Sequence, residues 1–156
     1  PKCMVCPIQE ICMGYKENRI YEFPINEKKT TINKESYVVP IIQKNSSYWV
    51  VKRAPDVLLG NLWGFPMIDQ TEWEKNYALN SKIVKLTTVS HRFTHRIWEM
   101  CPVIISYKEI STECFNQIAH NSHNLSGNFM NLDEMGHIPI ATAFKKIIKL
   151  LIKFNE

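Results

Sequence analysis

The succession of strand-forming segments in the middle of the chain constrains its fold more than any other sequence feature. Residues 35–44 and 48–53 are rich in β-branched and aromatic side chains, and the polar run 45–47 separates them. This pattern predicts a β-hairpin. Pro40 indicates that the first strand lies at a sheet edge or contains a bulge, because proline has no N–H to donate to a neighbouring strand.

Further strands and helices follow along the chain. Two long strands are predicted at 82–90 and 96–107 and a short one at 127–131, with helices at 69–79 and 115–120. Strands dominate the middle of the chain, and helices lie between and after them. This order predicts an α/β (α+β) fold in which helices flank a mixed β-sheet.

The helical segments carry amphipathic patterns. Asp69 or Thr71 is expected to cap the first helix, with Trp73 and Tyr77 on one face. A last helix is predicted after Pro139. Its apolar side consists of Phe144, Ile147, Ile148 and Leu151, and its basic side consists of Lys145, Lys146, Lys149 and Lys153. The basic side is more typical of a solvated face than of a phosphate-binding surface.

Composition limits the class of protein. The chain has 156 residues, of which 45% are hydrophobic and 22% charged, which fits one globular domain with an extension at one end. The net charge of +4 indicates a mild preference of the protein for polyanionic partners. No apolar run approaches the roughly 18 residues that span a bilayer, so no membrane partner is expected. The start without Met or a signal peptide predicts a fragment of a longer protein, and an odd number of cysteines favours a cytosolic one.

Three cysteines near the start form the first candidate site. Cys3, Cys6 and Cys12 follow the spacing Cys-x2-Cys-x5-Cys, and the first two are close enough in sequence to bind one metal centre. Zinc or an iron–sulfur cluster would need a fourth ligand, which no nearby residue supplies. Incidental free thiols are the alternative. A thioredoxin-like redox site is disfavoured because no βαβ pattern surrounds the pair.

An aromatic-rich turn follows the second predicted strand. Residues 58–66 are LLGNLWGFP. Gly60 and Gly64 permit a tight backbone there, and Trp63 and Phe65 are expected to be largely buried. A packed loop over the core is predicted whatever the function.

The segment between the two long predicted strands is the second candidate site. It contains His91, Arg92, Phe93, Thr94, His95 and Arg96. Arginine pairs with phosphate, an aromatic ring stacks or wedges, and Thr and His bind base edges, so this turn is suited to contact DNA. An exposed basic hairpin without such a role is the alternative. A zinc site formed by His91, His95, His120 and His123 is disfavoured because cysteines at metal-site spacing are missing.

Together these motifs resemble the C-terminal domain of MutY-type adenine DNA glycosylases, which is built on the Nudix fold. Residues 58–66 are similar to the family's GLLxGLWEFP segment, with Asn61 in place of a Gly and Gly64 in place of a Glu. Residues 91–95 match its His-x-Phe-Ser/Thr-His segment, and residues 138–141 with the last helix match its end. The resemblance covers most of the chain.

The resemblance also implies a domain organisation and a cofactor. Cys3, Cys6 and Cys12 are similar to the last three ligands of the family's 4Fe-4S cluster loop, whose first ligand would precede residue 1. Residues 1–15 would then end that loop, residues 16–34 would be an interdomain linker, and residues 35–156 would form the Nudix-like domain. The cluster would belong to the full-length parent protein, and none is expected in this fragment.

The function implied by the resemblance is recognition of 8-oxoguanine opposite adenine in double-stranded DNA during base excision repair. Family members hydrolyse the N-glycosidic bond of the mispaired adenine in an N-terminal helical domain, which is the expected partner of this domain and would carry the catalytic residues. Thr94 is placed to accept a hydrogen bond from the N7–H of the lesion, with Phe93 and His95 beside it. The implied location is the bacterial cytoplasm, with the nucleoid.

Two alternatives remain open at this point. A divergent Nudix hydrolase of oxidised nucleotides would need clustered carboxylates to bind Mg²⁺. Glu72 and Glu74 lie two residues apart and so do not share a helix face, which argues against this enzyme. The second alternative is an interaction module whose linker or terminal helix docks a protein partner.

Overall fold

The computed structural model describes residues 1–23, 25, 31–77, 83–120 and 124–156. Within them the chain divides into two compact units, Pro1–Thr31 and Ile32–Glu156. The first unit consists of short helical turns. These are the 3₁₀ helices Cys3–Val5, Gln9–Ile11 and Ile20–Glu22 and the α-helix α1 (Met13–Lys16).

The second unit is built on a mixed sheet. Its strands in the described residues are β1 (Asn33–Lys44), β2 (Ser47–Arg53), β3 (Trp63–Gly64), β4 (Ile68–Asp69), β5 (Val84–Lys85), β6 (Val89–Arg92), β7 (Arg96–Ser106) and β8 (Asn124–Met130). Its helices are α2 (Gln70–Asn76), α3 (Thr112–Ala119), α4 (Leu132–Gly136) and α5 (Thr142–Asn155). The predicted α+β class, a mixed sheet flanked by helices, is confirmed.

The centre of the sheet is the parallel pairing of β1 with β7, which runs from Asn33 opposite Arg96 to Gln43 opposite Ser106. The strand order is β3-β2-β1-β7-β5, and the other pairings are antiparallel. In addition, β4 pairs with β1, β6 with β7 and β8 with β2. The predicted hairpin of residues 35–53 is present as β1 and β2.

The prediction from Pro40 of an edge strand was wrong. β1 lies inside the sheet, with β7 on one side and both β2 and β4 on the other. β4 pairs with Tyr37 and Val38, and β2 pairs with Gln43 and Lys44. Pro40 lies in the interval between these two pairings, so its missing N–H removes no hydrogen bond to either strand.

Both faces of the two central strands are covered. On one face Val39 and Ile41 belong to a core that includes Phe144, Ile147 and Leu151 of α5. On the other face Val38 packs with Trp73 of α2, and Ile42 packs with Ile118 of α3. Alternate residues of β1 therefore face opposite helices, which explains its nearly continuous apolar run.

The predicted strand over 82–90 was wrong in its extent. The described residues of this segment form two short strands, β5 and β6, and Lys82 lies outside the described residues. The register on β7 moves by one residue between the pairs Lys85–Val103 and Val89–Met100. Pro102 lies opposite this break and has no N–H to donate, so a continuous ladder is interrupted there.

Helix caps explain several element boundaries. Asp69 accepts hydrogen bonds from the N–H groups of Thr71 and Glu72, which confirms the predicted cap of α2. α3 begins at Thr112, earlier than predicted, because the Ser111 hydroxyl caps it. β8 likewise begins earlier than predicted, at Asn124. α4 was not predicted, and its start at Asn131 carries a capping box with Glu134.

The aromatic turn at residues 58–66 packs against the core. Phe65 is 1% exposed, and Trp63 is partly buried against the same cluster of side chains. Gly64 lies against the ring of Phe144, and a Cβ at this position would overlap that ring. The glycine therefore allows α5 to pack closely against β3.

Candidate functional site

The predicted turn of the second candidate site is the tip of a β-hairpin. His91 and Arg92 end β6, Arg96 begins β7, and residues 93–95 connect the two strands. The Phe93 N–H donates to the Arg96 carbonyl at 2.8 Å, and the N–H of Asn33 donates to the His95 carbonyl at 3.2 Å. The backbone of the tip is thus held from within the hairpin and from the start of β1.

Phe93 is packed between two aromatic side chains. Its ring makes an edge-on contact with Trp98 at a centroid distance of 4.8 Å and another with His91 at 4.7 Å. Phe93 is partly buried against the main core, and Trp98 is 2% exposed. Such contacts fix the orientation of a ring, so Phe93 anchors the start of the turn and limits the movement of the residues that follow it.

A carboxylate beneath the hairpin connects three side chains. Glu35 accepts hydrogen bonds from the Trp98 indole N–H at 2.8 Å and from the Tyr37 hydroxyl at 3.1 Å, both on Oε2. Its other oxygen lies 3.4 Å from a guanidinium nitrogen of Arg96. Burial, followed by the hydrogen bond to Glu35, raises the pKa of Tyr37 to about 12. Tyr37 therefore remains a neutral donor over the physiological range.

A buried cation also contacts Trp98. Arg53 is 5% exposed, and its guanidinium carbon lies 5.6 Å from the centroid of the Trp98 ring. It donates to the Leu58 carbonyl at 2.9 Å and to the Met67 sulfur at 3.6 Å. Burial lowers the pKa of Arg53, since within the described residues no carboxylate lies at ion-pair distance from it. Arg53, Trp98 and Phe93 form a continuous series of contacts that ends at the tip.

The groups at the end of the hairpin are available to a ligand. Thr94 and His95 are exposed, and neither side chain has a hydrogen-bond or ion-pair partner among the residues that the structure describes. Arg92 is also exposed and forms no ion pair there, whereas Arg96 is occupied by Glu35. Phe93 thus has a structural role, while Thr94, His95 and Arg92 present a hydroxyl, an imidazole and a free cation.

His91 differs from the other basic residues of the hairpin. Burial lowers the pKa of His91, and the nearby charge of Lys146 lowers it further. A lowered pKa favours the neutral imidazole at neutral pH. A neutral imidazole has one donor and one acceptor nitrogen. His91 therefore adds hydrogen-bonding groups to the hairpin and little positive charge.

Sequence reasoning identified the tip and missed its support. Glu35, Tyr37, Arg53 and Trp98 were not singled out, because nothing local distinguishes them from ordinary strand residues. Glu35 meets Trp98 only through the parallel register of β1 with β7, in which these two residues are paired. That register joins residues 63 positions apart in the chain.

Comparison with known proteins identifies the fold family. A family model described as "NUDIX domain" matches residues 37–150. The chain belongs to the NUDIX domain family. In sequence, this Nudix domain is similar to curated proteins named adenine DNA glycosylase. The protein from Buchnera aphidicola subsp. Schizaphis graminum is 30% identical over 113 residues, covering 68% of the chain and 32% of that protein.

A second relative extends the match over nearly the whole chain. The adenine DNA glycosylase of Buchnera aphidicola subsp. Acyrthosiphon pisum is 27% identical over 155 residues, covering 96% of the chain and 42% of that protein. The chain therefore spans less than half the length of these relatives. The predicted resemblance to the Nudix-like domain of MutY-type proteins is confirmed.

Solved structures share the Nudix fold with the chain. The C-terminal domain of mouse MUTYH, solved in complex with human PCNA, aligns with a TM-score of 0.53 and 16% identity, covering 78% of the chain and 89% of that structure. The MutT NUDIX hydrolase of Burkholderia pseudomallei aligns with a TM-score of 0.57 and 13% identity, covering 76% and 98%. At these identities the two structures establish the fold alone.

The described residues of the Nudix domain and of the preceding unit contain no group of three or more His, Cys, Asp or Glu placed to bind a metal ion. Cys3, Cys6 and Cys12 are partly buried free thiols, and among the described residues they form no group placed to share one metal ion. The alternative zinc site would be formed by His91, His95, His120 and His123. The first three are not placed to bind one metal ion together, and His123 lies outside the described residues.

The α2 helix of the Nudix domain carries two carboxylates, Glu72 and Glu74. Glu74 accepts a hydrogen bond from the Gln70 amide at 3.0 Å, and both glutamates are exposed. They lie two residues apart and so face different directions.

None of the helices in the described part of the chain is long and apolar enough to cross a membrane.

Proposed function

We propose that the tip of the β6–β7 hairpin recognises 8-oxoguanine opposite adenine in double-stranded DNA, as the lesion-reading part of an adenine DNA glycosylase in base excision repair. The observation that carries the proposal is the contrast within three consecutive residues. Phe93 is fixed on Trp98, whereas the Thr94 and His95 side chains are exposed and unpartnered within the described residues. A rigid base with two free polar groups is suited to read a base edge.

The chemistry of the lesion favours a hydroxyl at this position. 8-Oxoguanine has an N7–H donor where guanine has a lone pair, and the Thr94 oxygen can accept from that donor. The imidazole of the adjacent His95 supplies a further hydrogen-bonding group beside this hydroxyl. Because a hydroxyl can also donate to the N7 lone pair of guanine, a preference for the lesion requires the Thr94 proton to point away from the base edge. Thr94→Val measures how much the hydroxyl contributes to that preference.

The role of the whole protein is part of the same proposal. The relatives are named adenine DNA glycosylases, and the chain spans less than half of their length. The N-glycosidic bond of the mispaired adenine would therefore be hydrolysed by a helical catalytic domain outside these 156 residues, which is the proposed partner of this domain. No carboxylate of this chain is assigned a catalytic role. The proposed location is the cytoplasm, with the nucleoid.

Binding by the 156-residue chain tests lesion recognition. Dissociation constants are measured by NMR titration with duplexes that contain adenine opposite 8-oxoguanine or opposite guanine. The native chain should prefer the lesion duplex. Thr94→Val removes the hydroxyl but keeps the shape, and it should reduce the preference by about 1–3 kcal/mol, the value of a base-edge contact. Thr94→Ser should keep it.

Arg92→Ala is the matched control, because it removes a neighbouring exposed cation. It should weaken binding to both duplexes equally and make the dependence on salt shallower, as expected for a phosphate contact. An unchanged preference in Thr94→Val, with resonance shifts mapped to another surface, would overturn the assignment of the hairpin tip.

The family match supports one alternative, a Nudix hydrolase that releases pyrophosphate from oxidised nucleotides. Such a hydrolase needs clustered carboxylates around Mg²⁺, and the exposed Glu72 and Glu74 face different directions. The chain should therefore release no pyrophosphate from 8-oxo-dGTP. Release that depends on Mg²⁺ would favour the hydrolase over lesion recognition.

The three N-terminal cysteines belong to the proposal only within a longer polypeptide. Cys3, Cys6 and Cys12 would bind a 4Fe-4S cluster there if a fourth thiolate were supplied from another part of that protein. The 156-residue chain should not retain the cluster when purified anaerobically. Iron and sulfide in a stoichiometric amount would contradict this.

A further inference from the structure

The exposed side of α5 lies next to the hairpin. Lys146 of α5 donates a hydrogen bond to the Ser90 carbonyl of β6 at 2.8 Å. Burial and, after it, the charge of Lys146 lower the pKa of His91. Lys146 is thus a direct polar contact between the helix and the hairpin. A lysine ammonium has three donors, so two remain available on Lys146 after the bond to Ser90.

Two further lysines follow Lys146 on the same side of the helix. Lys149 and Lys153 lie three and seven positions after it, which places the three side chains in one row, here called the lysine row. Phe144, Ile147 and Leu151 occupy the opposite, buried side of α5. At about 1.5 Å per residue the row is about 10 Å long, which is long enough to contact more than one phosphate of a DNA strand.

The lysine row carries positive charge that forms no ion pair within the described residues. α5 contains no Asp or Glu between Thr142 and Asn155. In the parts of the chain that the structure describes, none of the three lysines forms an ion pair. The carboxylates of the adjacent hairpin region are already occupied, because Glu35 pairs with Arg96 and Glu99 lies 3.9 Å from Lys34.

We infer that the lysine row binds successive phosphates of the DNA strand that the hairpin tip contacts. The inference rests on the proposed function and adds a second, sequence-independent contact surface to it. Charge complementarity and continuity with the hairpin through Lys146 and Ser90 favour DNA as the occupant. Phosphate contacts fix the position of a protein on the duplex and do not distinguish bases. The row would therefore hold the strand while the tip reads the lesion.

The test removes two charges from the row and leaves the contact between helix and hairpin intact. Lys149→Gln/Lys153→Gln is compared with Lys75→Gln/Lys108→Gln, which removes two exposed lysines from α2 and from the turn after β7. Both double variants change the net charge equally. Dissociation constants of the 156-residue chain are measured over a series of salt concentrations on the lesion duplex and on the adenine:guanine duplex.

The slope of log K against log salt should become shallower by about 1.8 in Lys149→Gln/Lys153→Gln, since each phosphate contact contributes about 0.9. It should stay near the native value in the control, and the preference for the lesion should persist in both variants. Equal slopes in the two double variants, or no DNA binding by the native chain, would overturn the inference.

The same data separate this inference from the proposed function. A native lesion preference together with equal slopes would overturn the lysine row and leave the hairpin tip in place. A slope change without any lesion preference would support the row as a DNA-binding surface and overturn lesion reading by the tip.

Discussion

Replacing Glu35 by Ala should destabilise the fold by removing the acceptor that connects β1 to the hairpin. Trp98 is 2% exposed, and its indole N–H would lose its partner at 2.8 Å, which costs about 1–3 kcal/mol for a buried donor. The lost Tyr37 bond and the Arg96 pair add less, because both are partly exposed and solvent screens the pair. The free energy of unfolding should fall by about 2–4 kcal/mol in total.

Urea unfolding followed by Trp fluorescence measures this loss, with thermal unfolding as a second measurement. For a domain of this size the midpoint temperature should fall by about 5–15 °C. Glu35→Gln keeps an acceptor for the indole and should lose about half as much. Glu99→Ala is the control on the neighbouring strand, because its partner Lys34 is 3.9 Å away and both side chains are exposed. Equal midpoints for Glu35→Ala and Glu99→Ala would refute the reasoning.

Two further predictions concern Tyr37 and Gly64. The pKa of Tyr37 is raised to about 12, so the unfolded chain loses this proton first, and stability should fall between about pH 10 and pH 12 more steeply in the native chain than in Tyr37→Phe. Urea unfolding at several alkaline pH values measures this, and parallel curves for the two proteins would contradict it. Gly64→Ala places a methyl group in the ring of Phe144, which is fully buried, and should cost about 1–3 kcal/mol of unfolding free energy. An unchanged urea midpoint would contradict the close packing of α5 on β3.

Local patterns were sufficient for those parts of the fold whose causes are local. The hairpin of β1 and β2, the Asp69 cap and the amphipathic α5 depend on neighbouring residues and were predicted from them. The break between β5 and β6 was missed because it arises opposite Pro102 on another strand. Pro40 was misinterpreted because the positions of β2 and β4 along β1 are set by the whole sheet.

The same distinction applies to the candidate site. His91, Arg92 and Thr94 belong to one short segment with a recognisable combination of side chains, so the sequence was sufficient to select them as candidate site residues. Their support comes from two other strands, β1 and β2, which supply Glu35 and Arg53. A buried arginine against an indole and a carboxylate shared by three donors have no local sequence signature, because both depend on register between distant strands.

Recognition of the lesion through its N7–H is the central claim, and 8-bromoguanine tests it most directly. This base has a bulky group at C8, as the lesion does, but keeps the lone pair of guanine on N7. Binding of the native chain and of Thr94→Val is measured on duplexes with adenine opposite 8-oxoguanine, 8-bromoguanine or guanine. The native chain should prefer 8-oxoguanine over both other bases, and Thr94→Val should lose most of that preference. Equal affinity for 8-bromoguanine and 8-oxoguanine, or a full preference in Thr94→Val, would contradict recognition of N7–H by Thr94.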